Sequence, residues 1–332
     1  MLRLFFPLFV VLTLSSTEPA RSSYQYIRLG HQENVETKPT AGIALMGGGS
    51  DIDEAFRWLC EKADGGDFLI LRARGGDAYN PYVNALCKLN SVATLIIPDR
   101  DAALEPAVAD IIHHAAAVFI AGGDQARYVN FWRGTPVEQT INADIARGTP
   151  IGGTSAGLAV LGEFSYGALN DPPDGSSLTS AEALQDPFSH RITLVRDFLI
   201  VPMLRTTITD SHFAKRDRMG RSLVFLARLL QDGWTKTPRE IAVDERSAVL
   251  VDSEGKSQVV GSGKGAYFLR PMEAPLVCKK DAPLTFHNIS VYRAPSGAHF
   301  NVHSWAGEGG FQYALSVDGG IIASSADSHA VY

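Results

Sequence analysis

The chain has 332 residues, of which 45% are hydrophobic and 20% charged, so it has enough apolar material for a large core and is not a disordered protein. Its formal net charge of -6 argues against a general binder of nucleic acids or anionic membranes, because such binders need an excess of basic groups. We therefore expect one large globular unit without a nucleic-acid partner.

The N-terminus has the pattern of an export signal. Arg3 precedes a largely apolar run at residues 4–14, and small or polar residues follow at 15–17. This run is too short to cross a bilayer comfortably, although an uncleaved membrane anchor is the alternative interpretation. We predict a signal peptide at residues 1–22, cleaved between residues 16 and 23, and a secreted or periplasmic mature protein. No later segment is long and apolar enough for a transmembrane helix, so no stable membrane association is expected after cleavage.

After the signal, short apolar segments alternate with amphipathic ones. The apolar segments are typical of buried strands and the amphipathic ones of helices. Such alternation is produced by βαβ crossovers, which place helices on both faces of a parallel sheet. The sequence thus predicts an α/β fold, arranged as a three-layer sandwich with a mostly parallel central sheet. The predicted strands are near 43–46, 68–71, 93–97 and 118–121, and the predicted helices near 51–62, 81–88 and 105–114.

The second half of the chain changes character twice. Residues 170–186 are rich in Gly, Pro, Asp and Ser without a clear period, which indicates a long lid or specificity loop, or a disordered segment. From residue 240 onward the pattern favours antiparallel strands. We predict an α/β core at 23–265 and a β-rich C-terminal extension at 266–332. The predicted late strands are 240–243, 248–251, 258–260, 266–269, 284–292 and 312–317.

The cysteines say little about the compartment. Cys60, Cys87 and Cys278 are odd in number and show no C-x-x-C spacing. Because Cys60 and Cys87 fall in amphipathic segments, buried structural thiols are favoured, with one disulfide left open. The histidines likewise show no metal-ligand spacing, so we expect neither a metal nor a cofactor.

A glycine-rich turn surrounds Ser155. The motif Gly153-Thr154-Ser155-Ala156-Gly157 follows a predicted strand and precedes an apolar helical start. Small neighbours let the backbone close a sharp strand-to-helix turn, and the helix N-terminus then stabilises a developing oxyanion. A serine in a glycine-rich turn also arises by chance, so the motif alone is moderately specific. It indicates a nucleophile elbow.

Several blocks together resemble the cyanophycinase and aspartyl-dipeptidase family of serine peptidases, which share the α/β sandwich of class I glutamine amidotransferases. The resemblance spans roughly residues 42–300 and is more specific than any single motif. The blocks are Met46-Gly47-Gly48-Gly49, Ala121-Gly122-Gly123-Asp124-Gln125, the Ser155 motif, Asp210-Ser211-His212-Phe213 with the residues up to Arg221, and Ile241-Ala242-Val243-Asp244-Glu245.

The resemblance implies a catalytic triad. A serine needs a base within hydrogen-bond reach, and the base needs an orienting carboxylate. His212 matches the base, and Glu245 matches the acid, with Asp244 as the alternative because adjacent side chains on a strand face opposite ways. The order Ser, His, acid differs from the Ser, acid, His order of α/β-hydrolases.

The resemblance also implies an oxyanion site at the backbone N–H groups of Gly123 and Ala156. Gly122 and Gly123 follow a predicted strand. The alternative for this segment is a plain turn in which Asp124 caps the next helix, and capping is compatible with an oxyanion role.

On the substrate side, the resemblance implies a pocket for a β-linked aspartyl unit. Arginine binds carboxylates through a bidentate fork, although arginines are also common on solvated helix faces. Ser211 stands where a glutamine is expected in true cyanophycinases, which puts the exact substrate in doubt. The implied substrate-binding residues are Gln125, Asp210, Arg216, Arg218 and Arg221. Asp210 has a second interpretation, as the end of a strand that caps a helix.

The leading hypothesis is therefore an exported serine peptidase that hydrolyses aspartyl-linked peptides, cyanophycin-like β-Asp-Arg chains among them, through an acyl-enzyme. A general serine esterase or amidase and a catalytically silent exported binding protein are the alternatives. An aspartyl peptide is the expected partner, and a homodimer is left open as the oligomeric state.

Overall fold

The computed structural model describes residues 23–332, and the predicted signal peptide lies outside them. The strands in this part of the chain are β1 (Gln25–Gly30), β2 (Gly42–Met46), β3 (Asp67–Arg72), β4 (Ser91–Ile96), β5 (Ala117–Ile120), β6 (Ile151–Thr154), β7 (Phe164–Tyr166), β8 (Leu194–Arg196), β9 (Thr207–Asp210), β10 (Arg239–Val243), β11 (Ser247–Asp252), β12 (Lys256–Gly261), β13 (Ala266–Pro271), β14 (Phe286–Ala294), β15 (His299–Asn301), β16 (Ala306–Glu308), β17 (Phe311–Asp318) and β18 (Ile321–Ser324).

The helices alternate with strands through the first 160 residues and become rare later. They are α1 (Asp53–Lys62), α2 (Tyr79–Leu86), α3 (Arg100–Leu104), α4 (Pro106–His113), α5 (Gln125–Trp132), α6 (Pro136–Arg147), α7 (Ala156–Ala159), α8 (Ser180–Gln185) and α9 (Met219–Gln231). Among the described residues, none of these helices is long and apolar enough to cross a membrane.

The strands form two mixed sheets. Sheet A has the order β1-β4-β3-β5-β6-β2-β11-β12-β15-β16, and sheet B the order β18-β17-β14-β13-β10-β9-β7-β8. Parallel pairing holds from β4 through β2 in sheet A and from β10 to β7 in sheet B, whereas the flanking strands are antiparallel. The predicted α/β fold is confirmed, but the mostly parallel central sheet is only partly matched.

Three apolar clusters hold the layers together. One lies between sheet A and helices α1 and α2, with Phe56 and Phe119 among its members. The second covers the opposite face of sheet A and also takes Ile241 and Val243 from sheet B. The third lies between the other face of sheet B and helices α8 and α9. Because successive side chains of β10 point to opposite faces, that strand contributes to both of its neighbouring clusters.

The late strands join both sheets. β11 pairs with β2 in sheet A, and β13 pairs with β10 in sheet B. The chain therefore crosses from sheet B to sheet A between β10 and β11, at residues 244–246. The predicted boundary at residue 265 lies between β12 of sheet A and β13 of sheet B.

Cys60 and Cys87 form the disulfide that the sequence left open, with a Cα–Cα distance of 6.2 Å, so the favoured interpretation of both as free thiols is wrong. Cys60 lies in α1 and Cys87 directly follows α2, and both helices pack on the same face of sheet A. This shared packing brings the two sulfurs together. Cys278 is a buried free thiol.

The segment predicted as a long loop contains α8. Its start is a capping box, in which Thr179 accepts from the backbone of Glu182 and the Glu182 side chain accepts from Thr179. Arg191 pairs with Asp171 at 3.2 Å and with Glu182 at 2.7 Å, so it ties the loop to the helix. The residues before α8 remain irregular.

Candidate active site

Ser155 occupies the turn between β6 and α7. Its φ of 53° and ψ of -115° lie in a region that residues with a side chain rarely adopt. The turn closes tightly enough that a Cβ at Gly157 would lie 2.0 Å from the carbonyl oxygen of Ile120, and one at Gly153 would lie 2.5 Å from the backbone of Gly157. The small residues around the serine are therefore required by backbone contacts, as expected for a nucleophile elbow.

His212 follows β9 and faces Ser155. Its Nε2 lies 2.7 Å from Ser155 Oγ, and its backbone N–H donates to the carbonyl oxygen of Gly47 at 2.8 Å. The residue has a positive φ of 47°, which turns the chain sharply at the end of the strand. Sheet B thus supplies the histidine, whereas sheet A supplies the serine.

Glu245, and not Asp244, contacts the histidine. Glu245 Oε1 lies 2.7 Å from His212 Nδ1. Asp244 instead accepts a hydrogen bond from the backbone N–H of Lys215 at 2.8 Å. The two carboxylates are adjacent in the turn that connects β10 to β11, and they point to different partners. The structure therefore brings together Ser155, His212 and Glu245.

The local electrostatics favour a neutral histidine beside an ionised glutamate. Burial lowers the pKa of His212 and outweighs the Glu245 hydrogen bond, which raises it. The same hydrogen bond lowers the pKa of Glu245. The hydrogen-bond pattern assigns a proton to His212 Nδ1, which donates to Glu245, and leaves Nε2 to accept from Ser155. This is the protonation state that a general base requires.

A three-glycine segment after β2 supports the histidine and the glutamate. A Cβ at Gly48 would lie 2.4 Å from His212 Cε1, and one at Gly49 would lie 3.2 Å from Glu245 Cβ. Sequence reasoning used these glycines only as part of the resemblance and did not give them a role. Their position directly after a strand that neighbours the serine strand was the available signal.

The predicted oxyanion groups come from two segments that adjoin the serine. Ala156 is the first residue of α7, and the first N–H groups of a helix have no intrahelical acceptor. A Cβ at Gly122 would lie 3.4 Å from Ser155 Cβ, so the loop that carries Gly122 and Gly123 lies against Ser155. Asp124 caps α5 by accepting from its second residue, as expected.

Two of the predicted substrate residues lie near solvent. Half of the Arg216 side chain is exposed, and its Nε lies 4.0 Å from Glu245 Oε1. Gln125 is half-buried at the start of α5, and its amide donates to the carbonyl oxygen of Tyr166 at 3.2 Å. Arg216 is thus the member of the predicted arginine set that offers an accessible guanidinium beside the triad.

The other predicted substrate residues form a buried ion-pair cluster. Arg221 is 1% exposed and binds Asp210 through two bonds, at 2.7 Å from Nε and 2.5 Å from Nη2. Arg218 is also buried, and its Nη1 donates to Asp210 at 3.1 Å and to the carbonyl oxygen of Ser211 at 2.9 Å. The expected direct substrate contacts of Asp210 and Arg221 do not fit this placement, because the two side chains occupy each other's hydrogen-bonding groups. The described residues contain no group of His, Cys, Asp or Glu that could hold a metal ion.

Comparisons with known proteins agree with these features. The model of peptidase family S51 matches residues 83–187, which include Ser155. The chain is 27% identical to a cyanophycinase of Trichormus variabilis over 220 residues, which cover 64% of this chain and 65% of that protein. It is 23% identical to a cyanophycinase of Synechococcus elongatus over 281 residues, covering 79% and 80% of the two chains.

The chain thus spans about 65% of the length of the first of these relatives. Among solved structures, a peptidase from an acI-B1 Actinobacterium aligns at 19% identity with a TM-score of 0.48, covering 69% of this chain and 90% of that one. The family match includes two of the sequence blocks named above, Ala121-Gly122-Gly123-Asp124-Gln125 and the Ser155 motif. The family-model match and the cyanophycinase relatives together support a cyanophycinase-like peptidase of family S51.

Proposed function

We propose that this chain is an exported serine peptidase that hydrolyses aspartyl-linked peptides through an acyl-enzyme. The observation that carries the proposal is the continuous hydrogen-bond chain from Ser155 Oγ through His212 to Glu245, with 2.7 Å at each contact. A strained serine, a neutral base and an ionised acid in one line are the elements of nucleophilic acyl transfer.

In the proposed reaction, Ser155 Oγ attacks the scissile carbonyl carbon while its proton moves to His212 Nε2. The N–H groups of Ala156 and Gly123 stabilise the oxyanion of the tetrahedral intermediate. His212 then returns the proton to the leaving amine, and the C–N bond breaks. Water attacks the acyl-enzyme by the same proton path and releases the free acid and Ser155. Glu245 stays ionised and stabilises the imidazolium that forms twice in the cycle.

The proposed substrate class rests on Arg216 and on the names of the relatives. An exposed guanidinium beside the triad suits the free carboxylate of an aspartyl unit, which arginine can bind bidentately. Two relatives are called cyanophycinase, so a β-Asp-Arg polymer is the first substrate to test. Gln125, on the helix that follows the oxyanion loop, is the proposed second contact.

Export of the protein is a separate part of the proposal. It rests on the apolar run at residues 4–14 and gains support from the Cys60–Cys87 disulfide, because disulfides persist in oxidising compartments. Expression of the full chain in a bacterium, followed by N-terminal sequencing of periplasmic protein, tests it. A mature N-terminus within residues 17–23 is expected, whereas an intact Met1 in the cytoplasm would contradict export.

The catalytic proposal is tested with a fluorophosphonate probe and a substrate screen. The probe should label Ser155 in the wild type and leave Ser155→Ala unlabelled. The screen should compare a β-Asp-Arg polymer, α- and β-aspartyl dipeptides, and simple acyl esters. Release of an aspartyl product supports the proposal. Ester cleavage without aspartyl cleavage would indicate a general esterase, and absence of both labelling and turnover would indicate a silent binding protein.

A further inference from the structure

The last residue of the sequence contacts the segment that follows the proposed catalytic histidine. The hydroxyl of Tyr332 accepts a hydrogen bond from the backbone N–H of Met219 at 2.7 Å and donates one to Asp217 Oδ1 at 2.9 Å. Met219 is the first residue of α9, whose first N–H groups have no acceptor within the helix. The phenol therefore provides an acceptor for the first N–H group of α9, although Tyr332 lies 113 residues away in sequence.

The ring of Tyr332 contacts the other end of the same segment. It packs edge-on against Phe213 with a centroid distance of 5.7 Å, and against Tyr267 at 5.9 Å. Phe213 is fully buried and directly follows His212 in the chain. One side chain thus touches both ends of residues 213–218, here called the arginine loop.

The backbone of the arginine loop is irregular. Asp217 has a positive φ of 49°, and the loop is closed by hydrogen bonds from Arg216 to His212 at 2.9 Å and from Arg218 to Phe213 at 3.0 Å. Arg216, the accessible guanidinium beside the triad, lies at the middle of this loop. A small change in the path of the loop would therefore move Arg216 relative to Ser155.

The C-terminal residues are themselves anchored. The hydroxyl of Tyr313 in β17 donates to the carbonyl oxygen of Val331 at 2.7 Å, and Ser324 donates to Ala330 at 2.6 Å. These bonds connect the tail to sheet B, which also carries β9 and His212. The tail is therefore a fixed element against which the arginine loop can be held.

We propose that Tyr332 is a positioning residue, whose phenol and ring hold the arginine loop so that Arg216 and His212 face Ser155. This inference rests on the proposed function for its effect on catalysis. The hydroxyl acts on the Asp217–Met219 end and so on Arg216, whereas the ring acts on Phe213 and so on His212.

The test uses the full chain with Tyr332→Phe and Tyr332→Ala, and Tyr292→Phe as the matched control. Tyr292 is a half-buried tyrosine of β14 whose ring contacts are Phe268 and Phe300. For Tyr332→Phe we expect the KM for an aspartyl peptide to rise about fivefold with little change in kcat, since a hydrogen bond that orders a binding loop is lost. The rate of Ser155 labelling by the fluorophosphonate should stay at the wild-type value. For Tyr332→Ala, labelling should also slow, because Phe213 loses its neighbour.

Hydrogen exchange separates this inference from the proposed function. The amides of residues 216–219 should exchange faster in both Tyr332 variants and not in Tyr292→Phe, with protection elsewhere unchanged. If the wild type neither cleaves aspartyl peptides nor reacts with the probe, the proposed function fails, and the exchange data still decide whether Tyr332 holds the loop. Wild-type exchange and KM in Tyr332→Phe would overturn the inference. So would a uniform loss of protection across the chain, which would indicate a purely structural role.

Discussion

Gly48 lies against the imidazole of His212, with so little space that a Cβ on the glycine would sit 2.4 Å from Cε1 and 2.6 Å from Nε2 of the histidine. The segment after β2 thus forms the surface on which the proposed base rests. Because real Cβ contacts do not approach this closely, any side chain at residue 48 must displace the ring from Ser155.

Gly48→Ala should therefore abolish most of the activity. Displacing a reacting group by about 1 Å can cost about 100-fold in rate, so we expect kcat/KM to fall by about that factor or more. Gly297→Ala is the matched control, because Gly297 has a similar positive φ of 85° and, beyond its chain neighbours, no atom of the described residues lies within 4 Å of the position that a Cβ would take. Both variants bear the backbone strain of a left-handed alanine, about 1–2 kcal/mol, and Gly48→Ala alone bears the clash. Equal activity in the two variants would contradict the proposed contact.

The Glu245 carboxylate should control both the rate and its pH dependence. Since the proposed base is neutral His212, kcat/KM should rise with pH through the His212 pKa, and burial places that midpoint below the ordinary value of 6.5. Glu245→Gln removes a charge that raises the pKa of His212, so the midpoint should move to still lower pH. The rate should fall by about 100- to 10,000-fold, the range typical of a lost orienting carboxylate.

Asp244→Asn provides the comparison for Glu245. This substitution leaves the His212–Glu245 bond in place and affects the Lys215 backbone contact. We expect a much smaller change in kcat and an unchanged acidic midpoint. A larger loss of kcat in Asp244→Asn than in Glu245→Gln would argue that the neighbouring carboxylate is the functional one.

The elbow could be predicted from a short motif whose chemistry is local, whereas the histidine and a choice of two acids followed from the resemblance of their sequence blocks to a known family. The early strands and helices were also predictable from their periodicity. The two-sheet arrangement was not, since β10 and β11 have similar apolar patterns and are separated by only residues 244–246. Their partners, β9 and β2, are distant in sequence, and pairing of that kind leaves no local pattern.

The different roles of the arginines also could not be predicted from the sequence. Arg216, Arg218 and Arg221 have the same chemistry, and only the three-dimensional structure separates an exposed guanidinium from two buried ones. The disulfide could not be predicted for a similar reason, because Cys60 and Cys87 are brought together by the packing of α1 and α2 on one face of a sheet.

Arg216 and Arg221 should therefore differ in what their loss affects. Arg216→Ala should raise the KM for an aspartyl peptide about tenfold, because a charged bidentate contact is lost, and leave the midpoint of thermal unfolding unchanged. Arg221→Met should instead lower the free energy of unfolding by about 3–5 kcal/mol, because it leaves the buried Asp210 with Arg218 as its remaining cation.

A double variant checks the origin of the Arg221 effect. Asp210→Asn combined with Arg221→Met removes both charges of the pair, so part of the lost stability should return. Urea unfolding of the single and double variants measures this. A loss of stability in Arg216→Ala as large as in Arg221→Met would contradict the distinction between the two arginines.

Glu240 should give the protein a pH-dependent stability that is separate from catalysis. This residue of β10 is fully buried beneath α9, where its Oε1 accepts from Ser222, and its Oε2 has no hydrogen-bond partner among the described residues. Burial, reinforced by the negative charge of Asp210, raises the pKa of Glu240 well above its ordinary value of 4.5. The folded protein therefore keeps this proton at pH values where the unfolded chain has released it.

The sign of the effect follows from this difference. A raised folded-state pKa contributes stability that is complete below about 4.5, the unfolded value, and is lost as the pH rises through the folded value. Glu240→Gln keeps an oxygen for Ser222 and has no proton to lose. Its free energy of unfolding should therefore increase relative to that of the wild type as the pH rises above the unfolded value. Glu254→Gln, at an exposed position, is the control and should show no such trend. Urea unfolding from pH 5 to pH 9 measures both variants, and a constant difference between Glu240→Gln and the wild type across that range would show that Glu240 is ionised in the folded protein throughout.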